Sequence, residues 1–125
     1  MSAGRRHPFA VGVITDEVSQ DPDEALRWAV ERGLDYVDLR NVFGRNVTEL
    51  EPAELDRLEA ALGRYGLPVR TICPQLFRAR LIPETMDVVR RLRADPSLVE
   101  TEPAEYAEHL RMLSCALDLA ERFGA

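Results

Sequence analysis

Three short clusters in this sequence carry side chains able to hold a polar ligand or move a proton: Asp16-Glu17, Asp38 with Arg40-Asn41, and Gln75 after Pro74. Neighbouring carboxylates can act as acid and base, and a guanidinium beside an amide suits an oxygen-rich ligand. Each cluster also has a plainer reading. Arg40 can close an ion pair with Asp38 or Glu17, Asp16 can cap the turn that it begins, and Gln75 can be an ordinary loop amide. The substrate-contact candidates are therefore Glu17, Asp38, Arg40, Asn41 and Gln75, and no residue is assigned as a catalytic base or a metal ligand.

The elements that must position these residues follow from local pattern. Phe9 to Ile14 is a continuous apolar run, the signature of a strand buried on both faces. Asp21-Pro22-Asp23-Glu24 then supplies a cap, a proline at the first helical position and an acid three residues after the cap. Ala25, Leu26, Ala29 and Val30 form the stripe of this helix, with Trp28 beside it, and Gly33 ends it. Tyr36 to Asn41 is a second strand, in which Val37 and Leu39 share one face while Tyr36, Asp38 and Arg40 share the other. The next helix follows a loop containing Gly44 and Asn46. It starts at Glu51-Pro52-Ala53-Glu54, repeats Leu55, Leu58 and Leu62 at helical spacing and stops at Gly66. Pro68 to Cys73 is a third strand, with Thr71, Cys73 and Gln75 on one face. A third helix begins at Glu102-Pro103, carries Tyr106, Leu110, Leu113, Leu117 and Ala120 as its stripe and ends at Gly124.

Two segments stand outside this rhythm. Residues 1–8 are small and basic without period and read as a disordered leader; 76–101 reads as a long loop with a helical turn or two from Glu84 to Leu92. Its Arg78, Arg80, Arg90, Arg91 and Arg93 form either an anion-attracting lid or a solvated stretch balanced by Glu84, Asp87 and Asp95. His109 reads as a solvent-facing helical residue.

The whole chain, 125 residues with 46% hydrophobic and 30% charged side chains, is sized for one domain at most. A net charge of −6 argues against nucleic acid as a partner. All 16 basic residues are Arg, a bias in composition before it is a sign of anion binding. Cys73 and Cys115 have no metal-ligand spacing and read as free thiols. No window approaches the ~20 apolar residues of a membrane span, and no secretory signal precedes the first strand, so the expected compartment is the cytoplasm.

Gly33-Leu34 and Gly66-Leu67 each lead into a strand, and Gly124-Ala125 repeats the signal where a fourth strand is due. Three βα units with the spacing of parallel crossovers fit a doubly wound sheet or the first part of a (β/α)8 barrel. Thr15 to Gln20 lacks the G-x-G-x-x-G of a dinucleotide site, which weakens the first. The barrel accounts for charges on strand positions facing its lumen.

Ile14-Thr15-Asp16-Glu17-Val18-Ser19-Gln20-Asp21, the helix to Arg32-Gly33-Leu34, and Tyr36 to Val47 resemble the sugar phosphate isomerase/epimerase group of xylose isomerase-like TIM barrels. The resemblance runs through Pro74-Gln75-Leu76-Phe77 and resumes in the last helix. It implies an α/β fold, with residues 9–125 as the N-terminal portion of a barrel. It also implies metal-assisted proton transfer on a sugar or polyol, with Mn, Mg or Zn as cofactor. The family's metal ligands come mainly from later strands, so none is carried onto this chain, and the chain alone is expected to be inactive. An inosose dehydratase-like lyase shares the fold and the metal, whereas an AP endonuclease-like barrel lacks its strand-end histidines here. A different class remains: a non-catalytic half-barrel that completes itself with a second copy or a second chain.

Overall fold

The computed structural model describes residues 8–76 and 106–125, Tyr106 by its backbone alone. The leader up to His7, most of the long loop, its Arg cluster, the expected turn at 84–92 and the expected start of the third helix at Glu102-Pro103 lie outside the described residues. In chain order the elements are β1 (Gly12–Ile14), α1 (Pro22–Glu31), β2 (Tyr36–Leu39), β3 (Asn41–Val42), β4 (Arg45–Asn46), α2 (Pro52–Tyr65), β5 (Val69–Ile72) and α3 (Tyr106–Phe123). Single 3-10 turns occupy Thr15–Glu17 and Val47–Glu49.

Strands β1, β2 and β5 form a parallel sheet with β2 in the middle. Its central strand behaves as alternation requires: Val37 and Leu39 are fully buried, while Tyr36 and Asp38 are only half-buried. The core that covers Val37, Leu39 and Val69 draws on each of the three described helices, through Leu26 and Ala29 of α1, Leu58, Ala61 and Leu62 of α2, and Leu119 of α3. Each fully buried leucine contributes on the order of 2 kcal/mol, so the helix-facing side supplies most of the cohesion. The other side of β2 is left for polar residues.

The helix boundaries follow local chemistry. Asp21 caps α1 by accepting the Asp23 N–H at 3.1 Å, and Glu51 and Glu54 make a reciprocal capping box on α2. Gly33, Gly66 and Gly124 all take positive φ, as helix-ending glycines do.

The register between β2 and β5 slips by one residue. Val37 lies opposite Val69 but Asp38 lies opposite Thr71, leaving Arg70 as the extra residue of a bulge. The slip keeps Ile72 beside Leu39 and leaves Arg70 and Thr71 exposed, with the Arg70 guanidinium over the Tyr36 ring at 4.8 Å. Opposite Tyr36 on β1 is Gly12, over which the ring lies so closely that a Cβ there would come within 2.2 Å of it.

Several expectations need correction. The strand expected over Phe9 to Ile14 is only Gly12–Ile14, half-buried, with Phe9 67% exposed, because among the described residues the helices cover only one side of the sheet. The loop after β2 is an antiparallel hairpin of β3 and β4. Val30 is 44% exposed and leaves the α1 stripe. The stripe of α3 is rotated: Leu110 and Leu117 are exposed, and His109, expected in solvent, is 3% exposed beside the buried positions Ala116 and Leu119. The reason is where α3 docks, against β5 and the Val47–Glu49 turn.

Candidate functional site at the carboxyl ends of the strands

The three parallel strands deliver their carboxyl ends to one edge of the molecule. After Ile14 the chain makes one 3-10 turn, in which the Thr15 carbonyl accepts the N–H groups of Val18 and Ser19, each at 3.1 Å. That turn carries Asp16 and Glu17 toward the end of β2. From there Arg40 reaches back: its Nε donates to both Asp16 oxygens, at 3.0 and 3.2 Å, and its Nη2 donates to Glu17 Oε1 at 2.8 Å. The Asp16 side chain is 5% exposed, that of Arg40 37% and that of Glu17 59%. The Asp16 hydrogen bonds, and next the Glu17 one, hold the guanidinium above its ordinary pKa. Asp16 therefore serves as the inner anchor of an ion pair rather than as a turn cap.

The hairpin after Arg40 is built on Phe43 and Gly44, both with positive φ, the backbone pattern of a type I′ turn. Phe43 has a side chain in the left-handed region, which costs about 1 kcal/mol. Gln20 offsets this by accepting both turn amides, Phe43 N–H on its carbonyl at 2.9 Å and Gly44 N–H on Oε1 at 3.1 Å. Arg57 of α2 covers the Phe43 ring at 4.7 Å.

Asn46 links the hairpin to β5. Its Nδ2 donates to the Cys73 carbonyl at 3.2 Å and to Asn41 Oδ1 at 3.4 Å, while its Oδ1 accepts the Thr48 amide at 3.1 Å and the Thr48 hydroxyl at 2.7 Å. The Cys73 N–H in turn donates to the Leu39 carbonyl at 2.7 Å. All three strand ends are thus tied, β1 to β2 through Arg40 and β2 to β5 through Asn46 and Cys73.

Three side-chain oxygens at this edge are buried without a hydrogen-bond partner, Thr15 Oγ1, Asp38 Oδ1 and Gln75 Oε1. Asp38 stands on the side of β2 away from the helix layer, opposite Thr71. The Cys73 thiol lies in the field of the same groups. Burial raises its pKa most, Asp38 and Asp16 add to the rise, and Arg40 opposes it. Chemically, the described residues of the edge offer carboxylate and amide oxygens, the Thr15 hydroxyl, and the Arg40 guanidinium, whose Nε and Nη2 are engaged by two carboxylates.

All five candidates, Glu17, Asp38, Arg40, Asn41 and Gln75, belong to the residues at or just beyond these strand ends. Glu17 and Arg40 form the ion pair of the plainer reading, and Asn41 is held by Asn46. Sequence reading did not single out Asn46 as the tie to β5 or Cys73 as a neighbour of Asp38. The asparagine could have been suspected, since a capping side chain before Val47-Thr48-Glu49 is a local signal. Cys73 could not, because its surroundings come from three strands.

Among the described residues, no group of three His, Cys, Asp or Glu side chains is placed to hold a metal ion. The described residues of this edge thus do not by themselves fit the divalent cation that the family resemblance implies. No described helix is long and apolar enough to cross a membrane. Compared with protein-family models, curated proteins and solved structures, the chain finds no match.

Proposed function

We propose that this chain is the N-terminal, ligand-holding portion of a xylose isomerase-like (β/α)8 barrel whose complete form isomerises or epimerises a sugar or polyol by proton transfer. The observation supporting this reading is the convergence, at the carboxyl ends of three parallel strands, of Glu17, Asp38, Arg40, Asn41 and Gln75. Strand carboxyl ends are where barrel enzymes hold their substrates. In this portion the residues bind and orient: the Arg40 latch holds the first two strand ends at fixed separation, and Glu17, Asp38, Asn41 and Gln75 supply the polar groups around it.

The test is an amide-resolved NMR titration of the purified chain with aldoses and myo-inositol. Shifts confined to the residues following β1, β2 and β5 support the reading; shifts elsewhere, or none at tens of millimolar ligand, overturn it. An aldose–ketose or epimerase assay with added Mn or Mg is expected to show no turnover by this chain alone, because the resemblance puts the metal ligands in later strands. Turnover refutes that expectation.

A second reading, a half-barrel that completes itself with another copy or another chain, is favoured by the exposure of Leu110 at 46% and Leu117 at 63% on α3. Light scattering after size exclusion separates the two: a monodisperse dimer supports assembly, a monomer opposes self-assembly.

A further inference from the structure

Resting on the second reading, in which the chain assembles with another copy, we infer that α3 is the surface it uses, pairing antiparallel with α3 of the second copy about a two-fold axis near Leu113 and Ser114. Two adjacent stripes run along this helix. One, through Ala116 and Leu119, is buried against the body of the molecule. The other, Leu110, Leu113, Leu117 and Ala120, steps by three, four and three residues, the spacing of a coiled-coil seam. Leu110 and Leu117 are 46% and 63% exposed, Leu113 and Ala120 are half-buried, and none of the four belongs to the core formed by the described residues.

The two earlier helices show what a flank facing the next helix of the same chain carries. α1 meets Arg64 of α2 with Asp23, ten positions before its closing glycine, and α2 meets Arg122 of α3 with Asp56 and Glu59, ten and seven positions before its own. At the same two positions α3 has Ser114 and Leu117. Its flank offers an apolar seam where the others offer carboxylates, so it suits a partner that brings leucines rather than an arginine. A second α3 brings them.

Charge sets the direction. Arg111 lies in the first half of α3, and Asp118 and Glu121 lie in the second. Parallel copies would set Arg111 against Arg111 and Asp118 against Asp118. Antiparallel copies set each Arg111 near Asp118 of the other copy and each Leu110 against Leu117 of the other copy, the reciprocal contacts that a two-fold axis requires. The ion pair that Arg111 makes with Glu108 is exposed on both sides and is easily exchanged.

The experiment is sedimentation equilibrium of the full chain and its variants over roughly two decades of protein concentration. Wild-type protein is expected to dimerise, and Leu110→Gln/Leu117→Gln to raise the dimer Kd by ~10-fold or more, with an unchanged circular dichroism spectrum because both leucines are exposed. Arg111→Asp and Asp118→Arg are each expected to raise Kd by ~3-fold or more, and Arg111→Asp/Asp118→Arg to return it close to wild type. A dimer that Leu110→Gln/Leu117→Gln leaves intact overturns the α3 seam and keeps the assembling reading. Charge reversals that fail to compensate overturn the antiparallel direction. Wild-type protein that stays monomeric overturns self-assembly and this inference with it; a monomer whose Tm falls in Leu110→Gln/Leu117→Gln does so by showing that its own chain covers the seam.

Discussion

Arg40 and Asp16, 24 positions apart in the chain, are joined by two hydrogen bonds from one Nε, at 3.0 and 3.2 Å, and this contact fastens the end of β2 to the turn that follows β1. The buried partner is the carboxylate, and the guanidinium is partly in water. The two groups are therefore unequal in what their loss does.

Arg40→Met is expected to destabilise the chain by about 2 kcal/mol, at the low end for a broken buried pair because the guanidinium is partly solvated. Asp16→Asn/Arg40→Met is expected to recover part of that loss, since the orphaned carboxylate is gone. Urea unfolding of both single variants and the double variant measures it. Additive losses would show that the pair is not coupled.

Asn46 is 4% exposed and satisfies four hydrogen bonds spanning three segments. Asn46→Ala is expected to cost about 2–3 kcal/mol by chemical unfolding, because it removes a cap and strands the Thr48 amide. Asn46→Asp keeps the cap oxygen but loses the donor to the Cys73 carbonyl and so loosens that strand end; amide exchange should quicken at the Cys73 N–H, which donates to the Leu39 carbonyl, and stay slow at Thr48. Equal quickening at both sites would contradict the geometry.

At Gly12 the constraint is steric. Its φ is not positive, yet a Cβ would lie 2.2 Å from the Tyr36 ring. Gly12→Ala should force that ring off the sheet and away from Arg70, with a loss of about 1–3 kcal/mol. Gly12→Ala/Tyr36→Ala should cost less than the two single losses together. Thermal unfolding of the set reads this directly, and a harmless Gly12→Ala would mean that the ring has another place to go.

The Cys73 thiol is held above its ordinary pKa by burial, with Asp38 and Asp16 acting in the same direction. Less thiolate is present near neutral pH, so alkylation of Cys73 in folded protein is expected to be slower than in unfolded protein, with its rate rising at higher pH. Asp38→Asn removes one of the raising charges and should speed alkylation, whereas Arg40→Met removes the lowering charge and should slow it. The measurement is site-resolved iodoacetamide labelling by mass spectrometry in a Cys115→Ser background. Changes of opposite sign in the two variants are the signature of the proposed neighbourhood; the same sign in both would place Cys73 elsewhere.

What the chain's order of residues determined by itself is local. The starts of α1 and α2, the glycine stops at Gly33, Gly66 and Gly124, and the two-faced character of β2 are matters of capping, left-handed backbone and alternation, each decided within a few residues. Tertiary structure decided the rest. Two neighbouring stripes on α3 satisfy the helical period, one through Leu110, Leu113 and Leu117 and the other through His109, Met112, Ala116 and Leu119. Only docking against β5 and the Val47–Glu49 turn selects the second, which is why His109 is inside and Leu117 outside. Likewise, the residue types of Asp16, Glu17 and Arg40 were visible from the start. Which carboxylate takes the guanidinium depends on where the turn after β1 meets the end of β2, a relation between segments that no local pattern encodes.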